Sequence, residues 1–172
     1  MRTNIEIGEE IMIQTFKSRK SWREKLGRLQ EPKVVKVPPR MQRRFGTGTM
    51  LIPRTLDVDS LIRKIPRGRL ATQSQIRARL ASDFGADVTC PITTGIFVRI
   101  AAEAANEDLE SGKTRVTPYW RVVREDGSLN EKFPGGVRAQ SLLLKKEGHQ
   151  IAPGKGKKNP VVSNHEKRLA RL

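Results

Sequence analysis

The chain has 172 residues, with 34 Lys and Arg against 18 Asp and Glu, a net charge of +16 and a pI near 10.8. The length suits one domain of ordinary size plus tails, and the charge predicts a polyanionic partner, because each phosphate neutralised releases condensed counterions. DNA or RNA fits that role best and a membrane least: no apolar run approaches the roughly 18 residues of a spanning helix, and Glu6, Glu9 and Glu10 break any signal-peptide pattern near the N-terminus. A single cysteine, Cys90, excludes an intramolecular disulfide, and the two histidines, His149 and His165, form no cluster at metal-ligand spacing. The expectation is a cytoplasmic, nucleoid-associated chain with no metal and no other cofactor.

Residues 1–54 read as a basic N-terminal arm and linker. Within it Phe16–Leu26 suits a short helix with apolar Phe16, Trp22 and Leu26; Ser21 is its N-cap and Glu24 completes a capping box. Trp22 reads better as packing on the domain than as part of an arm along phosphates. From 32 to 55, Pro32, Pro38, Pro39, Pro53, Gly46 and Gly48 argue against regular helix. Val34–Val37 suits a short strand and Arg40–Phe45 is a basic cluster, so the segment reads as an extended linker.

The domain proper is expected over 55–151, with 152–172 as a basic tail. Leu56, Leu61, Ile62 and Ile65 make one helical face, with Asp57 or Asp59 suited to the positive helix start. Pro66-Arg67-Gly68 turns the chain. Thr72 is the natural N-cap of the next helix, whose Ile76, Leu80 and Phe84 share a face, and Gly85 stops it. A second helix opens at Thr93-Thr94 with Ile96, Ile100 and Ala104 at four-residue spacing. The pair reads as a helix-turn-helix with Thr94–Ala105 as recognition helix, or as an ordinary helical hairpin. Glu107–Arg115 reads as a polar loop and Val137–Glu147 as a final helix with Leu142, Leu143 and Leu144 inward. In the tail, Gly154–Lys158 reads as a flexible basic segment and Val161-Val162 suits an edge strand.

Between the last two helices lies TPYWRVVREDGSLNEKFPGG, residues 117–136, in which Pro118–Val123 suits a turn feeding a buried strand. This stretch resembles the active-site segment of the methylated-DNA–protein cysteine methyltransferases, which reads Pro-Cys-His-Arg-Val in that family. The likeness covers about Leu56 to Ile151, and it is nearest to the catalytically inactive alkyltransferase-like proteins. It implies a mainly α, winged-helix-like domain of the alkyltransferase type between extended basic arms. The nucleophile's position is held by Tyr119 and that of its histidine base by Trp120. Alkyl transfer needs a thiolate, whereas a phenol with a pKa of about 10 is a harder and weaker acceptor and an indole takes no proton. The resemblance therefore implies no enzyme activity. Glu147 matches the carboxylate that orients the missing base and is left a structural role.

The same likeness implies a monomer bound to duplex DNA through the minor groove, recognising alkylated guanine and handing the site to nucleotide excision repair proteins. The implied DNA-binding residues are Thr72, Gln73, Thr93, Thr94, Arg99 and Arg121, with Arg121 alternatively bracing the fold. Gln73 stands where the family has a tyrosine that displaces the target nucleotide. The family's intercalating arginine aligns opposite Val98, within one residue of Arg99, which is the expected wedge. The implied lesion pocket is Tyr119, Trp120, Phe133, Pro134, Gly135 and Gly136. Its Phe-Pro-Gly-Gly replaces Tyr-Ser-Gly-Gly and loses two hydroxyls, which weakens discrimination built on hydrogen bonds. Two other readings stay open. One is a general DNA- or RNA-binding module on the same scaffold; the other is an enzyme of unrecognised chemistry using Tyr119, Glu147 or Cys90.

Overall fold

The computed structural model describes residues 20–172, so Phe16 and the acidic residues near the N-terminus lie outside the described part. The fold is mainly helical with small sheets. Helix α1 (Trp22–Leu26) starts with the expected capping box: Ser21 Oγ accepts from the Glu24 N–H at 3.1 Å, and Glu24 Oε2 accepts from the Ser21 N–H at 2.7 Å. Trp22 packs against the core as expected. The segment read as an extended linker is instead folded. It holds β1 (Lys33–Lys36), α2 (Pro39–Phe45) and β2 (Thr49–Ile52). Pro39 sits in the first turn of α2, where its missing N–H costs nothing, so proline density there marks a helix start. β2 lies antiparallel to β1 and parallel to β4 (Val88–Thr89), which ties this segment to the helices that follow.

Helix α3 (Thr55–Arg63) buries Val58, Leu61 and Ile62, with Ile65 buried just beyond it. Leu56, expected on that face, is 42% exposed, because the face is set by the later residues. The two-residue strand β3 (Ala71–Thr72) leads directly into α4 (Gln73–Asp83), where Thr72 Oγ1 accepts from the Gln75 N–H and Gln75 Oε1 accepts from the Thr72 N–H. Gly85, at φ 63°, takes the left-handed conformation that ends the helix. Helix α5 runs from Pro91 to Glu110. It thus opens before Thr93 and continues through the first part of the stretch read as a polar loop. Pro91 again occupies a first-turn position, and the C-terminal turns are held by packing: Ala101, Ala102, Ala104 and Ala105 are buried.

That close alanine face lets α1, α3 and α4 pack on α5. The Glu107 carboxylate of α5 also accepts the N–H groups of Trp22 and Arg23 at 2.8 and 2.9 Å, capping α1 from a distant part of the chain. Beyond α5 a 3-10 turn (Tyr119–Arg121) feeds β5 (Val122–Val123), which pairs in parallel with β3. Helix α6 (Gly136–Lys146) follows, with Leu144 buried, Leu143 packed on the core and Leu142, contrary to expectation, 54% exposed. The residues after Ala152 return as a hairpin: β6 (Ile151–Ala152) pairs with β7 (Val161–Val162), and Leu70 bridges to Leu169.

Replacing Thr72 by Ala should lower stability by about 1 kcal/mol through loss of the cap. Chemical denaturation of the two chains measures this directly, and an unchanged midpoint would show that β3 pairing alone holds the start of α4.

Candidate nucleic-acid interface

α4 and α5 are joined by a short connection through Gly85 and β4, a helix-turn-helix arrangement that brings the N-terminal ends of both helices to one face. There the exposed side of α5 presents Ile92, Gly95, Ile96 and Arg99. Ile92 and Ile96 are 61% and 53% exposed, an unusual position for large apolar side chains. Gln73 faces them from the start of α4; a Cβ added at Gly95 would stand 3.8 Å from its Oε1. Arg124, Asn130 and Lys132 close the opposite side, giving an open groove of about 390 Å³ with apolar floor and cationic rim. Arg99 is exposed and meets Glu103 along the helix at 3.8 Å. Its neighbour Val98 is fully buried, so of the two positions that compete for the expected wedge only Arg99 reaches the surface.

Four expected contact residues are held elsewhere. Thr72 is 4% exposed and spends its hydroxyl on the α4 cap. Thr94 is fully buried and donates its hydroxyl to the Cys90 carbonyl at 2.7 Å, because the helix begins three residues earlier than Thr94. Thr93 is half-buried and donates to Cys90 Sγ at 3.2 Å. Arg121 is an internal brace: it donates to Glu147 through Nε and Nη2, at 3.0 and 2.8 Å, and to the Ile65 carbonyl at 2.6 Å. Cys90 itself stands at the N-cap of α5.

Behind this face lies the segment expected to hold the lesion. Tyr119 is 1% exposed and Phe133 3% exposed. They meet edge to face with ring centroids 5.4 Å apart, and Trp120 packs on Tyr119 in the same way at 5.4 Å. Three residues expected to line the pocket are thus packed on one another. Burial, with a smaller contribution from the Glu103 carboxylate, pushes the Tyr119 phenol up to about 12, so it stays neutral at physiological pH. Gly135 and Gly136, at φ 70° and 65°, make the sharp entry to α6; a Cβ at Gly135 would stand 2.6 Å from that of Ala139. Pro134 precedes them, partly buried.

Two polar residues hold this region. Gln140, fully buried, donates to the carbonyls of Trp120 and Val122 at 3.1 and 2.9 Å and accepts from the Asn130 N–H at 2.8 Å. Glu147 accepts from Trp120 Nε1 at 2.9 Å, from Arg121 and from the Gly68 N–H at 3.1 Å. Burial raises the Glu147 pKa, but the hydrogen bonds from Arg121, Trp120 and Gly68 outweigh it and hold the carboxyl below its usual range. The structural role expected of Glu147 is thus explicit, with Trp120 supplying a ring N–H. Gln140 carried no sequence signal beyond its place on a helix. Among the described residues no group of His, Cys, Asp and Glu could hold a metal, and no helix is long and apolar enough to cross a membrane.

No protein-family model and no curated protein matches the chain. Among solved structures it is similar to S. pombe Atl1 in complex with damaged DNA containing O6-carboxymethylguanine, at 18% identity and a TM-score of 0.48, over 69% of this chain and 94% of that one. It is also similar to S. pombe ATL in complex with DNA, at 16% identity and a TM-score of 0.44 over the same shares.

Replacing Arg121 by Ala should lower stability by about 3 kcal/mol, because Glu147 would lose its cation while remaining buried. Nucleic-acid affinity of the chain that remains folded should not change; a selective loss of affinity would return Arg121 to the interface. A second expectation concerns His149, which is 5% exposed and has no hydrogen-bond partner for either ring nitrogen among the described residues. Burial drives its pKa below 6.5, against the opposing pull of Glu147. The unfolded chain therefore takes up this proton first, and stability should fall as pH drops below about 6.5. Melting temperatures at pH 7.5 and 5.5 should differ less for His149→Leu than for the native chain.

Proposed function

We propose that this chain is a non-catalytic duplex-DNA-binding protein of the alkyltransferase-like kind, acting in the repair of alkylated DNA. The groove along α5 carries the reading: exposed isoleucines, a glycine and Arg99 on one helix face, beneath a rim of cations. Small and apolar side chains suit the close approach and wedging of minor-groove binding, and Arg124 and Lys132 stand where phosphates would pass. Arg99 is the proposed wedge and Gln73 its companion from α4. The excess of 34 basic over 18 acidic residues adds affinity that does not depend on base sequence. In this reading the chain binds as a monomer and marks a site for nucleotide excision repair proteins.

Alkyl transfer is absent from the proposal for a physical reason. Tyr119 is buried, its phenol is pushed up to about 12, and its neighbour Trp120 has no proton-accepting nitrogen. A second reading is favoured by the buried contact between Tyr119 and Phe133, two residues expected to line the lesion pocket: a duplex binder that does not discriminate damage. Entry of an alkylated base would need Phe133 to swing out, with left-handed Gly135 and Gly136 just after it in the chain.

Competition between short duplexes with and without one O6-alkylguanine, at two salt concentrations, separates these readings. Preferential binding of the modified duplex supports damage recognition; equal affinity with a steep salt slope supports general binding; no binding to either defeats both. Arg99→Ala should weaken duplex binding about tenfold, equivalent to roughly 1.4 kcal/mol. Tyr119→Cys should not acquire methyl transfer, and measurable transfer to that thiol would sink the account of Trp120.

A further inference from the structure

The loop between β6 and β7, residues 153–160, is a built part of the domain. Leu129 donates its N–H to the Pro160 carbonyl at 2.9 Å, Asn159 Nδ2 donates to the Leu129 carbonyl at 3.1 Å, and Lys158 donates its N–H to the Lys155 carbonyl at 3.2 Å. Gly154 lies so close to the returning chain that a Cβ there would collide with the carbonyl oxygens of Lys158 and Asn159. Glycine is required for closure. The loop so fixed carries Lys155, Lys157 and Lys158, all exposed.

These lysines wall a cavity of about 740 Å³, and Arg124 stands in its other wall. Arg124 also lines the groove along α5, so the two concave surfaces adjoin at this residue. Two carboxylates share the larger cavity. Asp126 accepts from the Ser128 N–H at 3.0 Å, and Glu131 is engaged by Arg124 at 2.7 Å and by Asn159. Three lysines therefore face a cavity whose carboxylates already have donors, Arg124 being the one that holds Glu131.

We propose that the 153–160 loop is a second phosphate-binding surface, gripping the sugar-phosphate flank of the same duplex whose minor groove receives α5. The proposal rests on the duplex-binding reading above. Its chemistry is that of lysine as a mobile point charge on phosphate: the contacts add affinity, orient the duplex across Arg124 and carry no base information.

The test is equilibrium binding of the full chain to a duplex of about 24 base pairs across a range of salt. The variant with Lys155→Gln, Lys157→Gln and Lys158→Gln should bind it at least tenfold more weakly. Its plot of log K against log salt should be shallower by about 2 to 3, since each phosphate contact contributes roughly 0.9. The triple Lys→Arg variant should keep native affinity and slope. An unchanged slope and affinity in the Gln variant, with circular dichroism showing it folded, overturns the loop's role alone when the native chain binds and Arg99→Ala weakens it. A loss of affinity with an unchanged slope overturns the phosphate contact. A native chain that does not bind the duplex overturns the loop proposal together with the reading beneath it.

Discussion

One buried carboxylate organises the segment from the 3-10 turn to α6. Glu147, at the C-terminal end of α6, collects the indole N–H of Trp120, two guanidinium nitrogens of Arg121 and the backbone N–H of Gly68. Two separate parts of the chain are thereby fixed to one helix end. An isolated carboxylate at this depth would be too costly to keep charged; paired and hydrogen-bonded, it holds its proton less tightly than a free one. The position of Tyr119 follows from this. With Trp120 and Arg121 anchored on either side of the same acceptor, the phenol ring turns inward against Phe133.

Local features were legible in the sequence because their physics is local. The capping boxes at Ser21 and Thr72 involve groups three residues apart, and the Gly85 stop needs only a left-handed residue. What was misread depended on partners far along the chain. Pro38 and Pro39 argue against helix interior, yet Pro39 begins α2; a strand was expected near β1, but β2 becomes one through pairing with β1 and with β4. The extension of α5 to Glu110 is supported by its packing on α1, whose own start is capped by Glu107. No pattern of spacing announces that Gln140 will satisfy two carbonyls and an amide from a different segment.

The site shows the same division in another form. Residue identity suggested which side chains could touch a polyanion, but address decides which can reach it. Thr94 and Arg121 have suitable chemistry and lie inside; Ile92 and Ile96 carry no charge and stand at the surface beside Arg99. Arg124 and Lys132, from the segment after β5, line the groove together with residues of α5. A helix face is legible when its apolar residues point inward. Here the informative residues are the apolar ones that do not.

The interlocked rings of Tyr119, Trp120 and Phe133 also limit which side chains this segment accepts. Tyr119 forms part of the wall around both neighbours, so shrinking it leaves a void, at a cost of about 24 cal/mol per Å³. Against a total stability of roughly 5–15 kcal/mol for a domain of this kind, one such void is a large loss. A change at Tyr119 is therefore a change in the packing of all three rings.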